Sequence, residues 1–318
     1  MHGILTVSVS AIFFNNFFKD LVPNGFLGVD SIFVLAGYTL MSIMSTKKPH
    51  STTLITQFRF LITSCIRNYL PLYYFTILLT RMAMKFHVVK KLVYWNAFVK
   101  SSLFQSNDEI HNPFSQLSYI SVLVQCACLA LIVFLILLNN PKLIQMCFIA
   151  ISIFSFQFMS DDSYFENKFQ GRMWQFLIGC LAQNLLEHRY NRVGIFSGIF
   201  MSLVLIFPGD LSMVKIWVRI LVCLLTAFSC HHLQILSKNR VLLYLDNFSY
   251  KLYLIHWPLY FIAEFYSHNF TVFSGLALIS AAILHEIYER FARKRTDFAM
   301  LILSIVEILI CVLYFYIN

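Results

Sequence analysis

The sequence predicts an all-α fold, a polytopic membrane helix bundle of about ten or eleven transmembrane helices. Of its 318 residues, 59% are hydrophobic and only 12% are charged, about half the charged fraction that is usual in soluble domains. Apolar stretches close to the length of a membrane-spanning helix recur from one end of the chain to the other. The basic residues lie mainly in the short loops between these stretches, as is usual in membrane proteins.

The apolar stretches define the predicted elements in order. The loops between them are mostly short, and no Gly/Ser-rich or Pro-rich linker divides the chain, so we expect one membrane domain over residues 1–318. The first and seventh stretches are short for a span. The predicted spans are 3–18, 26–46, 56–84, 116–138, 143–159, 170–186, 194–207, 213–231, 248–266, 271–291 and 299–317.

The distribution of Lys and Arg predicts the orientation of these spans. If the N-terminus is cytosolic and the spans alternate, one set of loops holds most of the basic residues, and the other set holds the acidic loop of Asp161, Asp162 and Glu166. The exception is the long, lysine-containing loop 85–115. The predicted cytosolic residues are Lys47, Lys48, Arg59, Lys142, Arg189, Arg192, Lys238, Arg240, Arg293, Lys294 and Arg295. The alternation predicts eleven spans, with Asn318 outside.

The net charge of +9 does not indicate a nucleic-acid-binding protein, because the basic residues are dispersed through the loops. We therefore expect membrane lipid as a partner and no nucleic acid. The eight cysteines all lie in apolar segments and lack the spacing of a zinc site. We interpret them as small buried hydrophobic residues, and we predict no metal site.

Charged residues in membrane segments are costly and are functional candidates by default, although those near segment ends can reach the interface instead. The candidates are Asp30, Arg67, Arg81, Arg219, His256, Glu264, Glu286, Glu289 and Glu307. Near one of them, Ser249, Tyr253 and His256 share one helix face by their spacing. Pro258 frees a backbone carbonyl one turn earlier, near Leu254. A polar stripe beside an opened backbone is typical of a binding site in a membrane protein, and also of a tight contact between helices.

Five motifs in this order along the chain resemble those of the acyltransferase 3 family of multi-pass membrane O-acyltransferases. The spacing of the motifs is most similar to the nematode branch of the family. The motifs are N-G-x-x-G-V-D-x-x-F-V-L-A-G at 24–37, with Gly28, Asp30 and Gly37; R-N-Y-L-P at 67–71, with Arg67; R-M-W-Q-F-L-I-G at 172–179, with Trp174; S-Y-x-x-Y-L-x-H-W-P at 249–258, with Ser249, Tyr253, His256, Trp257 and Pro258; and Y-E-R-F at 288–291, with Glu289.

The resemblance implies transfer of an acyl group other than an aminoacyl group, commonly from acyl-CoA as donor substrate, to a hydroxyl of a carbohydrate or lipid acceptor, with no bound cofactor. Its catalytic groups would be an Arg and a His on the first span and a Glu on a later span. This sequence has Leu5, Asn16 and Leu123 at those positions. Asn16 cannot act as a general base near neutral pH, and Leu5 cannot pair with an anion.

These substitutions leave two main hypotheses. In the first, the chain is a membrane O-acyltransferase that uses a base from elsewhere, with His256 as the candidate catalytic residue. In the second, it is a catalytically silent member of the family that binds lipid, an acyl donor or a protein partner. A transporter is a third alternative, but the paired broken helices of internal repeats are not visible in the sequence.

Overall fold

The computed structural model describes residues 3–46, 72–77, 80, 115–137, 140–158, 169–185, 191–209, 215–232, 239–266 and 269–293. These residues are helical apart from short connections, and none of them lies in a β-strand. A 3₁₀ turn at Gly25–Leu27 precedes the second helix, and residues 72–77 form a further helical stretch. The α-helices with complete bounds are α1 Ile4–Phe17, α2 Gly28–Thr46, α3 Ser115–Ile136, α4 Pro141–Gln157, α5 Phe169–Leu185, α6 Asn191–Ile206, α7 Lys215–His232, α8 Arg240–Tyr266 and α9 Phe270–Arg293.

Most helix ends lie within three residues of the predicted ends of the apolar segments. The largest difference is at α8, which begins at Arg240 rather than at residue 248. The polar residues of 240–247 lower the local hydropathy, but they do not interrupt the helix. Arg67 and most of the predicted span 56–84 lie outside the described residues, as does the whole predicted span 299–317.

Three helical segments within the described ranges are long and apolar enough to cross a membrane: Gly25–Met44, Leu117–Ile136 and Phe270–Tyr288. Shorter apolar helices accompany them, including α1 with 14 residues and α6 with 16 residues. At 1.5 Å per residue these two are about 21 and 24 Å long, less than the roughly 30 Å of a bilayer core. Length and composition thus fit a membrane span for the three long segments.

Several helices leave one apolar face uncovered. On α6 this face is formed by residues such as Phe196, Phe200 and Leu203, which are 70%, 50% and 61% exposed. Exposed apolar surface of this extent is unfavourable in water and is typical of a surface that contacts a membrane, a protein or a ligand. The large exposed apolar residues of α4 and α9 are Leu143, Met146, Ile149, Ile153, Phe154, Phe156, Val272, Leu276, Leu278, Ile279, Ile283 and Ile287.

Contacts divide the chain into two compact units. Unit 1 consists of Met1–Thr46 and Tyr119–Tyr253, and unit 2 of Lys47–Ser118 and Leu254–Asn318. The predicted single domain over residues 1–318 stays a prediction.

Helix α2 lies at the centre of unit 1 and packs closely against α1. A Cβ at Gly28 would lie 2.4 Å from the carbonyl oxygen of Ser8, and one at Gly25 would lie 2.1 Å from that of Ala11. As the chain advances into α2, its neighbours on α1 move back from Ala11 to Ser8. The two helices are therefore antiparallel, and they approach at a distance that only glycine permits.

Helices α2 and α5 run parallel, because Asp30 pairs with Arg172 and, seven residues farther along α2, Gly37 contacts Cys180, which lies farther along α5. The two helices cross at two glycines. A Cβ at Gly37 would lie 1.9 Å from the carbonyl oxygen of Phe176, and one at Gly179 would lie 2.0 Å from that of Val34. The Cys180 thiol also donates to the Gly37 carbonyl at 3.3 Å. Small residues at such a crossing bring two backbones together in the way usual for membrane helices.

Helix α6 is antiparallel to α2. The Asn24 amide, just before α2, donates to the carbonyls of Phe207 and Gly209 at 2.9 and 2.8 Å, just after α6 ends. Farther along α2, Ser31 contacts Met201. Thr226 of α7 also contacts Ser31, with 3.1 Å between the two hydroxyl oxygens.

Asp246 of α8 caps the start of α1. Its Oδ1 accepts hydrogen bonds from the backbone of Gly3 and Thr6 at 3.0 and 3.3 Å, and from the Thr6 hydroxyl at 2.9 Å. Gly3 has φ 98°, a conformation that glycine adopts readily. A carboxylate at a helix N-terminus satisfies free N–H groups and interacts favourably with the helix dipole, so Asp246 fixes the position of α1.

Hydroxyl groups inside these apolar helices bond to their own backbone. Thr39, Ser202, Thr226 and Ser249 each donate to the carbonyl four residues earlier, at 2.7 to 2.8 Å. This pattern gives each hydroxyl a hydrogen-bond acceptor within its own helix. Such residues therefore fit within an apolar segment.

Candidate functional site

Three charged side chains from three helices meet inside unit 1. Asp30 Oδ1 accepts a hydrogen bond from Arg172 Nη1, and Arg219 Nε lies 3.7 Å from Asp30 Oδ2. The side chains of all three residues are 4% exposed or less. We call this group the charge cluster. Buried charges are rare in proteins unless they are paired, so this is the most unusual chemical feature of the unit.

Neighbouring side chains complete the surroundings of the charge cluster. Arg172 Nη1 also donates to Gln175 Oε1 at 3.2 Å. The Arg172 guanidinium lies 5.8 Å from the ring centroid of Phe33 and 5.6 Å from that of Tyr119. Arg219 lies 5.8 Å from the ring of Phe26. Aromatic faces at these distances attract a guanidinium cation and shield it from water.

The charge cluster lies near the beginning of three helices. Asp30 is the third residue of α2, Arg172 the fourth of α5 and Arg219 the fifth of α7. At 1.5 Å per residue, each lies within about 6 Å of its helix start. The N-terminal dipoles of the three helices favour negative charge there, which stabilises the Asp30 carboxylate among its neighbours.

Several residues of the family-like motifs build this part of the structure. Asp30 belongs to the charge cluster, and Gly28 and Gly37 permit the close contacts of α2 with α1 and α5. Trp174 is buried beside α4: its backbone N–H donates to Ser155 Oγ at 3.0 Å, and its indole meets Phe156 edge-on at 5.4 Å. These four residues therefore serve the packing of unit 1.

The predicted polar face of α8 is buried. Ser249 and Tyr253 belong to unit 1, and they are 2% and 6% exposed. The Ser249 hydroxyl donates to the Leu245 carbonyl at 2.7 Å, so its proton is directed to the backbone. His256 belongs to unit 2 and is fully buried.

Pro258 lies inside α8, which continues to Tyr266. The predicted opening of the backbone near Leu254 therefore leaves the helix continuous. Trp257 stacks at a tilt on Tyr260, with 5.2 Å between ring centroids, and Tyr260 stacks on Phe270 of α9 at 5.8 Å. Trp257 thus belongs to an aromatic row that joins α8 to α9 within unit 2.

The positions that the resemblance matches to catalytic residues of the acyltransferase 3 family lie on α1 and α3. Leu5 packs against the apolar core of unit 1. Asn16 is half-buried near the end of α1, and Leu123 is half-buried on α3. Glu289 lies on α9, but its side chain, like the whole of Arg67, is outside the described residues.

Comparison of the chain with protein-family models, with curated proteins and with solved structures found no match. In the described ranges, no group of three or more His, Cys, Asp or Glu residues is placed to hold a metal ion.

The sequence indicated Asp30 and Arg219 as charged candidates and Arg172 only as the first residue of a motif, and it did not reveal that they meet. Gln175 and Asp246 were not identified as candidates. One signal was available for the cluster: each of its three charges lies in the first turns of an apolar segment. Even so, charge position alone cannot tell which three of the predicted helices are neighbours.

Proposed function

We propose that this chain is a polytopic membrane protein of the acyltransferase 3 type, which holds an acyl donor such as acyl-CoA and a hydroxyl-bearing acceptor. One observation carries the proposal. The motifs at 24–37 and 172–179 are far apart in sequence, yet their residues form one interface through Asp30 with Arg172 and Gly37 with Gly179. Two motifs that depend on each other in this way are expected of one inherited helix framework.

Helix directions support the eleven-span arrangement. Relative to α2, α5 is parallel whereas α1 and α6 are antiparallel. These helices correspond to predicted spans two, six, one and seven. Alternating spans require even-numbered ones to run together and odd-numbered ones to run against them, as these four do. The uncovered apolar faces of α4, α6 and α9 would then contact membrane lipid, the partner we propose for them.

The reaction we propose has a simple chemical balance. The acceptor oxygen forms an ester bond with the acyl carbon, the thioester C–S bond breaks, and the hydroxyl proton passes through a base to the released thiol. His256 is the proposed base, because imidazole can exchange a proton near neutral pH. It is fully buried in unit 2, where a proton acceptor would be shielded from bulk water.

The test uses purified full-length protein in lipid nanodiscs with acyl-labelled acyl-CoA. We expect slow consumption that a His256→Gln variant reduces by about 10²-fold or more, with thermal stability unchanged. A His285→Gln variant is the control, since His285 is also a buried histidine of unit 2. If His256→Gln loses stability and its turnover per folded molecule is unchanged, His256 has a structural role instead.

The second candidate function is that of a silent member of the family. Leu5 favours it, because an apolar side chain packed against the core of unit 1 occupies the position of the family's Arg. On this alternative the parent protein binds acyl-CoA without consuming it. A Leu5→Arg, Asn16→His double variant then gains transfer activity, provided that the rest of the framework is intact. Family-like turnover by the unmodified chain would contradict the alternative.

A further inference from the structure

Asp30 Oδ2 in the charge cluster and Gln175 Nε2 beside it are buried polar atoms that make no hydrogen bond within the described part of the chain. The 3.7 Å between Asp30 Oδ2 and Arg219 Nε permits charge attraction but is too long for a hydrogen bond. Gln175 is fully buried, and its Oε1 is held by Arg172. Because buried polar atoms are nearly always bonded in folded proteins, these two atoms have the capacity for a further hydrogen-bonding group.

We infer that this site binds a hydroxyl group of an uncharged, sugar- or glycerol-like ligand. The inference rests on the proposed function, in which that ligand is the acyl acceptor; the hydroxyl held here positions the ligand and is not the one that is acylated. A hydroxyl can donate to Asp30 Oδ2 and accept from Gln175 Nε2. Both atoms would then gain the hydrogen bond that each lacks, and no new charge would enter the protein.

Charged ligands match the site less well. A carboxylate or a fully ionised phosphate could accept from Gln175 and would be attracted by Arg172 and Arg219, but it has no proton to donate to Asp30 Oδ2. An ammonium group could donate to Asp30, but it would meet the guanidinium groups of Arg172 and Arg219, and it has no lone pair to accept from Gln175. A neutral hydroxyl can both donate and accept.

The location of the charge cluster also sets the side of entry. Asp30 and Arg172 lie near the starts of two parallel helices, so the site is near the end of unit 1 where those helices begin. In the eleven-span arrangement this end faces away from the cytosol. A hydroxylated acceptor would thus approach from outside, whereas acyl-CoA is supplied from the cytosol.

The experiment measures binding without requiring turnover. The full chain in nanodiscs is titrated with 1-O-octylglycerol, and unfolding is followed with a thiol-reactive dye that labels buried cysteines once they are exposed. Three matched probes accompany it: the di-O-methyl ether of octylglycerol, inorganic pyrophosphate and octylamine. The buried cysteines available as reporters are Cys126, Cys180, Cys223 and Cys230.

We expect octylglycerol alone to raise the unfolding temperature. In a Gln175→Glu variant, which keeps an oxygen facing Arg172 but replaces the N–H donor, the concentration for half-maximal shift should rise about tenfold or more. A Gln183→Glu variant is the matched control, because Gln183 lies on the same helix two turns farther on. If Gln175→Glu does not fold, Gln175→Met serves as the second test.

Each outcome decides the inference. Equal shifts with octylglycerol and its dimethyl ether, no shift at all, or an octylglycerol shift that Gln175→Glu leaves unchanged would each overturn it. A larger Gln175-dependent shift with pyrophosphate would overturn it in favour of an anion site.

Gln175-dependent binding of octylglycerol by a chain that never consumes acyl-CoA would support the inference while contradicting a transferase. Acyl transfer with an acceptor KM that Gln175→Glu leaves unchanged would support the transferase and contradict the hydroxyl site.

Discussion

At the scale of single residues, the charge cluster is the group of described residues whose burial costs the most electrostatic free energy. Asp30, Arg172 and Arg219 are almost completely buried. Burying charges costs several kcal/mol per ion, and attraction between the partners offsets that cost only when the geometry is good. Such a group adds little net stability, but losing one partner is expensive, so the cluster strongly favours the one arrangement of α2, α5 and α7 that forms it.

We therefore predict that Asp30→Asn lowers the free energy of unfolding by about 3–5 kcal/mol. The amide has nearly the same shape as the carboxylate, so the loss reports on charge. The control is Glu286→Gln on α9, where Glu286 and Arg290 form an exposed pair at 2.7 Å, with side chains 56% and 77% exposed. That pair contributes about 0.3–0.5 kcal/mol. Thermal unfolding in nanodiscs compares the two variants, and equal losses would show that the charge cluster is not important for stability.

At the scale of elements, the crossing of α2 and α5 is held by contact between backbones. Gly37 and Gly179 lie opposite backbone atoms of the other helix, with no room for a methyl group. Asp30 and Arg172 each precede their crossing glycine by seven residues, which is two helical turns. The glycine contact thus sets the helix separation at which the ion pair can form.

We predict that Gly37→Ala destabilises unit 1 by about 1–3 kcal/mol or more, because the neighbouring backbone cannot move aside as a side chain could. Gly275→Ala on α9 is the matched control, since a Cβ there would meet no atom within 4 Å. That control should be neutral or stabilising by about 0.4–1 kcal/mol, through reduced entropy of the unfolded chain. Similar unfolding temperatures for the two variants would contradict the close crossing.

At the scale of the whole molecule, the directions of α1, α2, α5 and α6 and the charges of the loops agree with the same alternating topology. Asn24 and the carbonyls of Phe207 and Gly209 bring the loop before α2 to the end of α6. In the eleven-span arrangement both of these loops lie outside, and the basic loop that follows α9 lies in the cytosol.

Cysteine labelling on intact cells tests this arrangement in a background where the native cysteines are replaced by alanine. We expect Leu21→Cys and Asn318→Cys to react with an impermeant maleimide from outside, and Lys294→Cys to react only after permeabilisation. Leu21 is suitable because it is 66% exposed. Labelling of positions 294 and 318 from the same side would eliminate the last predicted span and with it the eleven-span arrangement.

The sequence by itself determined, to within a few residues, where most of the described helices lie, and three of their segments are long and apolar enough to cross a membrane. Composition, segment length and loop charge are local properties, so they can be read without knowing the neighbours. These local properties placed the start of α8 too late, because polar residues such as Asp246 lower the hydropathy of 240–247. The Asp246 carboxylate is accommodated in the helix because it accepts hydrogen bonds from the N-terminus of α1. A polar residue that ends a predicted span can have its partner on a distant helix.

Only the tertiary structure decided which polar residues belong together. Asp30, Arg172 and Arg219 occupy similar positions on separate helices, and many pairings would have satisfied the same charge pattern. The choice depends on which helices approach closely, and for α2 and α5 that follows from glycines whose fit involves backbone atoms more than a hundred residues away. The hydroxyl site proposed beside Gln175 is likewise invisible in the sequence, because a glutamine with a free N–H is recognised only from the geometry around it.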